Sequence, residues 1–382
     1  MKTSKASTSI SNGVSVCVFD TISAAEAVWR DFENASDHYV FQTYDWLSHW
    51  HKHIGVHEKI DPYIVLLSDE KCRPLVLLPL AIQEKNRIRR LVWLGGLESD
   101  YHGPLLATEF SSRVDQEAFI EMWSETLESL PGFDVVLFEK QPATIGGQNN
   151  PFVALKCTPY SENAYFTRLE GSWQDYYRSK RSRNTRKRLR NYENGLGKHG
   201  ELSFHVLNKT TEIGPAAEQL FTLKRRRYRE TGVRDLLEEV GHEEFYKSAT
   251  LDAPISEKVK IAVLRVDSNI AAATIFAVYN GRLYDLYPAF DSVKFGKYGA
   301  GVVLLIRNMQ WCFDNDIKIY DLTIGNDQYK EEWCEETVPL FYYMSSKTSK
   351  GWCLISYRRL RDRLKQLAWL NFAVRTARRL RT

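Results

Sequence analysis

Phe290-Asp-Ser-Val-Lys-Phe-Gly-Lys-Tyr-Gly-Ala-Gly-Val-Val-Leu-Leu305 is the stretch from which the fold can be read. Before it, Arg282 to Pro288 reads as a strand; after it, Val302 to Phe313 has helical spacing. A glycine-rich turn between a strand and a helix presents backbone N–H groups and the positive end of the helix to an anion. Gly299 and Gly301 let the backbone approach a pyrophosphate with no Cβ in the way. Lys294 and Lys297 add formal positive charge beside it. A bare Gly-x-Gly also fits an ordinary helix start, so its setting carries the weight.

Upstream of this stretch, Val259 to Val266 and Ile270 to Val278 read as strands around the tight turn Asp267-Ser-Asn269. Asn280-Gly281 is a strong hairpin signal. Downstream, Ile317 to Leu322 is a further strand. The same order occurs in the first half. Tyr63 to Leu67, Pro74 to Leu80 and Ile88 to Leu94 read as strands, followed by a helix over 113–129 and a strand over Phe133 to Phe138. A pattern repeated at about 190 residues is a domain duplication, because solenoid repeats are about 20–50 residues long. The first-half counterpart of the glycine loop, Leu97-Glu-Ser-Asp-Tyr-His-Gly-Pro104, carries two acids and does not suit an anion. Between the halves, a basic helix is expected from Ser172 to about Gly195, and a second from Pro215 to Thr231. Asp45 to Ile54 reads as a helix with Trp46 and Trp50 on one face.

The 382 residues suit two domains, and the balance of 43% apolar to 26% charged residues is that of a globular chain. No apolar run reaches the ~18 residues of a membrane span, and no secretory signal is read at the N-terminus, so a cytoplasmic location is expected. Six scattered cysteines form no CxxC pair, which argues against a zinc site or a disulfide framework. His49, His51 and His53 alternate, and on a helix they point to different faces, so no metal is expected. The net charge of +4 is local in origin: residues 351–382 hold nine Lys/Arg and one Asp. This tail reads as a basic amphipathic helix, fit either to pack on the protein or to lie on an anionic membrane surface. Arg178 to Arg190 holds eight Lys/Arg and no acid. That is either a solvated helix or a surface for an anionic acceptor, with Arg181 among its members, or for nucleic acid.

Around Gly296-Lys-Tyr-Gly-Ala-Gly301 the chain resembles the GNAT acyltransferases, whose loop (Arg/Gln)-x-x-Gly-x-(Gly/Ala) wraps the pyrophosphate of coenzyme A; Gly296 stands where that pattern has Arg or Gln. An ordered set of segments is similar to the double-GNAT, CelD-like acetyltransferases of cellulose and exopolysaccharide clusters, and more distantly to the Fem aminoacyltransferases. The set is Phe41-x4-Trp46, Ser99-Asp100-Tyr101, the basic helix at 181–190, Phe290-Asp291, the glycine loop, Asp321-x3-Gly325 and Tyr329-Lys330-x2-Trp333. The resemblance implies an α/β fold of tandem GNAT-like domains, with mixed sheets flanked by helices and a C-terminal basic helix beyond. The units expected are 14–165 on the acceptor side, 166–346 on the acyl-CoA side, and a tail over 347–382. It implies acyl transfer, most simply acetyl, from acyl-CoA to an amine or hydroxyl of a sugar or polysaccharide precursor, with no metal. Lys297, Tyr298, Gly299, Ala300, Gly301 and Val302 would hold the CoA. Asp285 would act as base, Tyr329 would protonate the leaving thiolate, and Asp321 would end its strand in the site. Asp100, Tyr101, Arg181 and Lys330 would bind the acceptor. Asp291 is read as capping the loop. Two alternatives remain: a Fem-like transferase using aminoacyl-tRNA, and an inactive accessory protein of polysaccharide assembly.

Overall fold

The computed structural model describes residues 6–9 and 14–379, with side chains from 14 to 364. Among the described residues there are two large mixed sheets, of ten and seven strands, flanked by helices. Both contain one topology. In the first sheet the strands Ser15–Phe19, Ile60–Ser68, Pro74–Lys85 and Ile88–Trp93 pair antiparallel in turn, and the fourth then pairs parallel with Val135–Pro142. In the second, Leu202–Leu207, Val259–Val266, Asn269–Tyr279 and Arg282–Phe290 do the same, and the fourth pairs parallel with Ile319–Ile324. The duplication read from the sequence is therefore a duplication of fold.

The turns repeat as well. Asn280 and Gly281 both have positive φ (47° and 68°), as a two-residue hairpin turn of type I′ requires. At the matching place in the first half stand Asn86 and Arg87, at 56° and 60°. The shape is kept where the glycine is not, and so residue identity hides the repeat.

Each sheet is completed by a strand from the other half of the sequence. Ala164–Arg168 leaves the first unit to pair antiparallel with Ile319–Ile324. Leu340–Ser346 returns from the second unit to pair antiparallel with Val135–Pro142. This exchange has no local signature, since each strand reads the same whichever sheet takes it. It ties the units together, and one apolar core runs through both, joining Trp29, Trp46 and Leu77 to Phe221, Phe245 and Ile275.

The single basic helix expected after Ser172 is two helices, Trp173–Lys180 and Arg183–Gly197. The break falls at Arg181, whose backbone is extended, and Ser182 caps the second helix by accepting from Thr185 N–H at 3.1 Å. The helix expected from Pro215 begins earlier, at Thr210, and ends at Thr231 against the left-handed Gly232 (φ 68°). The last described element is the helix Ser349–Arg379, with Gly351 packed on the Asp134 backbone. The part of the amphipathic tail built on Leu367, Leu370, Phe372 and Val374 lies outside the described side chains. Among the described residues no helix is long and apolar enough to cross a membrane.

Candidate functional site

The strands Arg282–Phe290 and Ile319–Ile324 stay paired only from Arg282↔Ile319 to Tyr284↔Asp321. Beyond that point the first remains on its hairpin partner as far as Phe290, while the second turns at Thr323 (φ 57°). Asp285 is the first residue past the parting. It is buried, and its two oxygens accept from the Thr274 hydroxyl (2.5 Å) and the Tyr320 hydroxyl (2.9 Å). Burial pushes its carboxyl above the usual range, and the two hydroxyls, Lys330 and Lys224 oppose that shift.

Two lysines flank this carboxylate. Lys224, on the helix Thr210–Thr231, donates to Pro288 O at 2.9 Å and lies over the Tyr287 ring, 4.5 Å from its centroid. Burial pulls its pKa down to about 8, with Asp285 holding it up and Lys330 pressing it down. Lys330 is 5% exposed and donates to Ile324 O at 2.5 Å. Gly325 leaves room for it, because a Cβ there would sit 3.0 Å from the Lys330 Nζ. Tyr329, on the same short helix, is 38% exposed. Burial of its hydroxyl and the charge of Asp285 push its pKa up, so the phenol keeps its proton.

Asp321 is fully buried at the last paired position. It accepts from the Tyr101 hydroxyl at 2.9 and 3.1 Å, from Thr323 N–H at 2.7 Å, and faces the Arg282 Nε at 3.0 Å. Burial raises its carboxyl, and Arg282 is the main opposing charge. Tyr101 reaches it from the first unit, held by its loop. There the indoles of Trp46 and Trp50 donate to Ser99 Oγ (3.0 Å) and Glu98 Oε2 (2.9 Å). The helical spacing of the two tryptophans thus serves to seat the 97–104 loop. Asp100 lies between Lys140, Thr323 and Lys330, and burial raises its carboxyl against their pull. Removing one hydroxyl should uncouple this junction. Tyr101→Phe is expected to cost about 1–3 kcal/mol in urea unfolding, because Asp321 loses a donor it cannot replace with water. A loss under about 0.5 kcal/mol would show that the bond does not couple the units.

At the glycine loop, Gly296–Tyr298 forms a single 3-10 turn and Gly299 starts the helix Ala300–Asp314 in the left-handed region, at φ 61°. The helix begins two residues before the start expected at Val302. Val302 and Val303 N–H bond Gly299 O, while helix geometry leaves the N–H groups of Ala300 and Gly301 without an intrahelical acceptor. Asp291 ties the loop, accepting from Val293 N–H (3.1 Å), Lys294 N–H (3.0 Å) and Arg226 (3.0 Å). Lys294 and Lys297 are exposed beside it. Gly299 also has a neighbour the sequence did not show: a Cβ there would meet the Tyr192 ring at 2.6 Å. The Tyr298 hydroxyl pairs with His199 Nε2 at 2.7 Å. The residues present therefore fit a pyrophosphate at this helix end.

The structure gathers Asp285, Asp321, Tyr329, Lys330, Asp100 and Tyr101 around the parted strands, with the loop at the end of the same strand. It does not bring Arg181 there. Arg181 is buried over the Trp333 ring (3.9 Å) and donates to Glu332 O (2.7 Å) and Trp333 O (3.2 Å). It caps a helix end, with both Nη atoms on backbone carbonyls and its Nε buried. Lys330 likewise has its donors on backbone carbonyls. Of the basic helix Arg183–Gly197, Arg188 pairs with Glu332 at 3.0 Å and Arg186 holds backbone carbonyls, leaving Arg183, Lys187 and Arg190 exposed along one face. His49 and His53 share the Ser248 hydroxyl, their ring centroids 4.5 Å apart, whereas His51 bonds Ile60 O, so the three do not converge on one point. Among the described residues no group of side chains is arranged to hold a metal, and no disulfide is formed.

Lys224, Thr274, Tyr320 and Arg282 were missed in the sequence. Lys224 stands among the basic residues Lys224 to Arg229 of one helix, and only the fold shows that it turns inward. Thr274 and Tyr320 could have been found by asking which hydroxyls a buried Asp285 needs.

With this geometry in view, residues 183–331 match the acetyltransferase (GNAT) domain family. The structure of FemX is similar over 84% of this chain and 96% of its own, at 8% identity and a TM-score of 0.58. A conserved protein of unknown function from Bacteroides thetaiotaomicron VPI-5482 is similar over 90% and 99%, at 11% identity and a TM-score of 0.52. At those identities the likeness is one of fold. No curated protein matches the chain. The matching residues, 183–331, lie within the second of the two repeated α/β units, and what the solved structures share with the chain is its fold.

Proposed function

We propose that the protein transfers an acyl group, most simply acetyl, from acyl-CoA to an amine or hydroxyl of a sugar or polysaccharide precursor, as in the CelD-like group. The observation that carries this reading is the combination, in one strand–loop–helix segment, of a buried carboxylate where the sheet parts and, fifteen residues further on, an anion-fitting helix start at Ala300. In this reading the second unit, 166–346, takes the acyl-CoA. The N–H groups of Ala300 and Gly301, with Lys297 and Lys294 nearby, meet the pyrophosphate, and Tyr298, Gly299 and Val302 shape the turn. The first unit, 14–165, holds the acceptor, with Asp100 and Tyr101 at the junction. Asp285 takes the proton from the attacking amine or hydroxyl. Tyr329, kept protonated, supplies a proton to the departing thiolate. Backbone N–H groups freed where the strands part polarise the thioester carbonyl. Lys224 and Lys330 oppose the rise that burial imposes on the Asp285 carboxyl.

A second reading, aminoacyl transfer from tRNA, is favoured by the FemX-like fold and by the exposed face Arg183, Lys187 and Arg190, which no acid neutralises. Isothermal titration with acetyl-CoA, longer acyl-CoAs and aminoacyl-tRNA separates the two. Saturable acyl-CoA binding, with transfer to at least one of a panel of amino sugars and hydroxyl sugars, supports the first. Binding of aminoacyl-tRNA alone refutes it in favour of the second. Binding of acyl-CoA without transfer to any panel member favours an accessory role.

A further inference from the structure

The first unit has its own parted strands. Ile88–Trp93 and Val135–Pro142 pair only at Arg90↔Val135 and Leu91↔Val136. Past that point a cavity of about 370 Å³ opens between them, lined by both strands, by second-unit residues from Arg234 to His242, and by Arg358 of the C-terminal helix. It occupies the place that the Asp285 cluster occupies in the second unit. Its size falls at the lower end of small-molecule sites.

The charges around it do not cancel. Glu98 is matched by His242, Nδ1 to Oε1 at 2.6 Å, with both side chains almost fully buried. Glu139 is matched by Arg358 at 2.9 Å, and Glu239 by Arg234. Two cations remain. Among the described residues Arg90 is in no ion pair, and its Nε is buried without a hydrogen-bond partner. Burial and the like charge of Arg358 hold its pKa below the usual arginine value. Lys140 is 6% exposed and donates to Leu97 O (3.1 Å) and Ser99 O (2.9 Å), with no carboxylate in ion-pair range. Beside them Trp93, 4% exposed, has an indole N–H that is also buried without a partner. Orphaned buried donors are rare in folded proteins, because each costs a lost hydrogen bond. Here two of them line one cavity, beside the Lys140 ammonium, whose nearest opposing charge is Asp100. On its other side Glu58, bonded to Gln83 at 3.2 Å, is an acceptor for hydroxyls.

We propose that this cavity is a binding site for a sugar-sized, hydroxylated organic anion, its carboxylate or phosphate received by Arg90, Lys140 and the Trp93 indole. The site is separate from the acyl-CoA loop and does not depend on that assignment. It gives the first unit a ligand of its own, in the position where the fold opens in both halves.

Isothermal titration of the full chain with glucuronate, glucose 1-phosphate, inorganic phosphate and glucose tests it. At least one sugar anion should bind saturably, about tenfold or more tighter than glucose and than inorganic phosphate, as charge-assisted bonds plus a shaped cavity require. Arg90→Gln should weaken that binding about tenfold to a hundredfold, and Trp93→Phe by about threefold to tenfold, since each removes donors and keeps the packing. Acetyl-CoA titrated into the same variants should behave as in the wild type. No saturable binding of either sugar anion overturns the proposal, as does equal affinity for glucose or inorganic phosphate, or unchanged affinity in Arg90→Gln. A chain that binds sugar anions but not acetyl-CoA would leave this site standing and remove the acyl-CoA reading.

Discussion

Replacing Asp285 with Asn lowers kcat by about 10²–10⁴-fold, the range ascribed to a positioned general base, and leaves the affinity for acetyl-CoA within about twofold of wild type. The fold should tolerate the change. The Asn carbonyl can keep the Thr274 hydroxyl, and its NH₂ can donate to Tyr320, which reverses its role at 2.9 Å without moving. The pH profile distinguishes a base from a structural carboxylate. In the wild type kcat/KM should rise with pH through a limb above the ordinary carboxylate range, since burial raises the Asp285 pKa. That limb should vanish in Asp285→Asn. Lys224, brought down to about 8, is the competing group. If it were the base, the limb would lie near its pKa, survive in Asp285→Asn and disappear in Lys224→Met. The stability profile carries the same information. A carboxyl with its folded pKa above the unfolded ~3.9 binds more protons in the fold, so stability falls as pH rises through that window. A lysine lowered to about 8 binds fewer protons in the fold. Its contribution therefore improves with rising pH between about 8 and the unfolded ~10.4.

That Asp285 could be singled out from sequence, while the groups that govern it could not, shows where the chain is legible. A hydrophobic strand, a hairpin turn and a glycine-rich helix start are local. Each element around 282–314 was readable to within two residues; in its weak echo over 60–138 the elements were readable but their ends were not, the second strand running on to Lys85. Strand exchange is not local. Ala164–Arg168 and Leu340–Ser346 have ordinary strand composition, and nothing within either states that it completes the other unit's sheet. The break at Arg181 was hidden for a similar reason. Its cause is Trp333, 152 residues away, whose ring and carbonyl claim the guanidinium.

The candidate site follows the same division. Asp100, Tyr101, Asp321, Tyr329 and Lys330 stood out through an ordered resemblance, and they do meet in space. What the resemblance could not supply was the direction of each side chain. Lys330 points at backbone carbonyls, Glu98 turns inward to Trp50 and His242, and Lys224 leaves its basic neighbours to face Asp285. Burial determines those directions, and burial is a property of the assembled core. The acidic loop at 97–104 illustrates the consequence. Its two acids are engaged from within the fold, Glu98 by His242 and Asp100 by the charge of Lys140, while Arg90 lines the cavity with its Nε unpartnered.

The glycine loop offers the other large effect. Gly301→Asp should reduce the affinity for acetyl-CoA by about a hundredfold or more, with the melting temperature nearly unchanged. The position separates binding from folding. Gly301 lacks the positive φ of Gly299, and a Cβ there would come 3.2 Å from a Phe290 ring carbon, which needs a shift of a few tenths of an ångström. An acid in the first turn also favours the helix dipole by about 0.3–1 kcal/mol, which offsets that crowding. Toward a bound pyrophosphate the same carboxylate is repulsive. Two unit charges 4 Å apart at an effective dielectric near 20 interact by about 4 kcal/mol, and about 1.4 kcal/mol is a tenfold change. Gly301→Asn has nearly the same shape without the charge and should lose less than about tenfold. Gly299 would be a poorer test. Any side chain there meets Tyr192 at 2.6 Å and takes on about 1–2 kcal/mol of left-handed backbone strain, so lost binding could reflect a distorted loop. Isothermal titration and thermal melts of the Asp and Asn variants together give the answer. Equal affinity in Gly301→Asp and Gly301→Asn would mean that no anionic part of the ligand reaches this helix end, and the acyl-CoA assignment would fall with it.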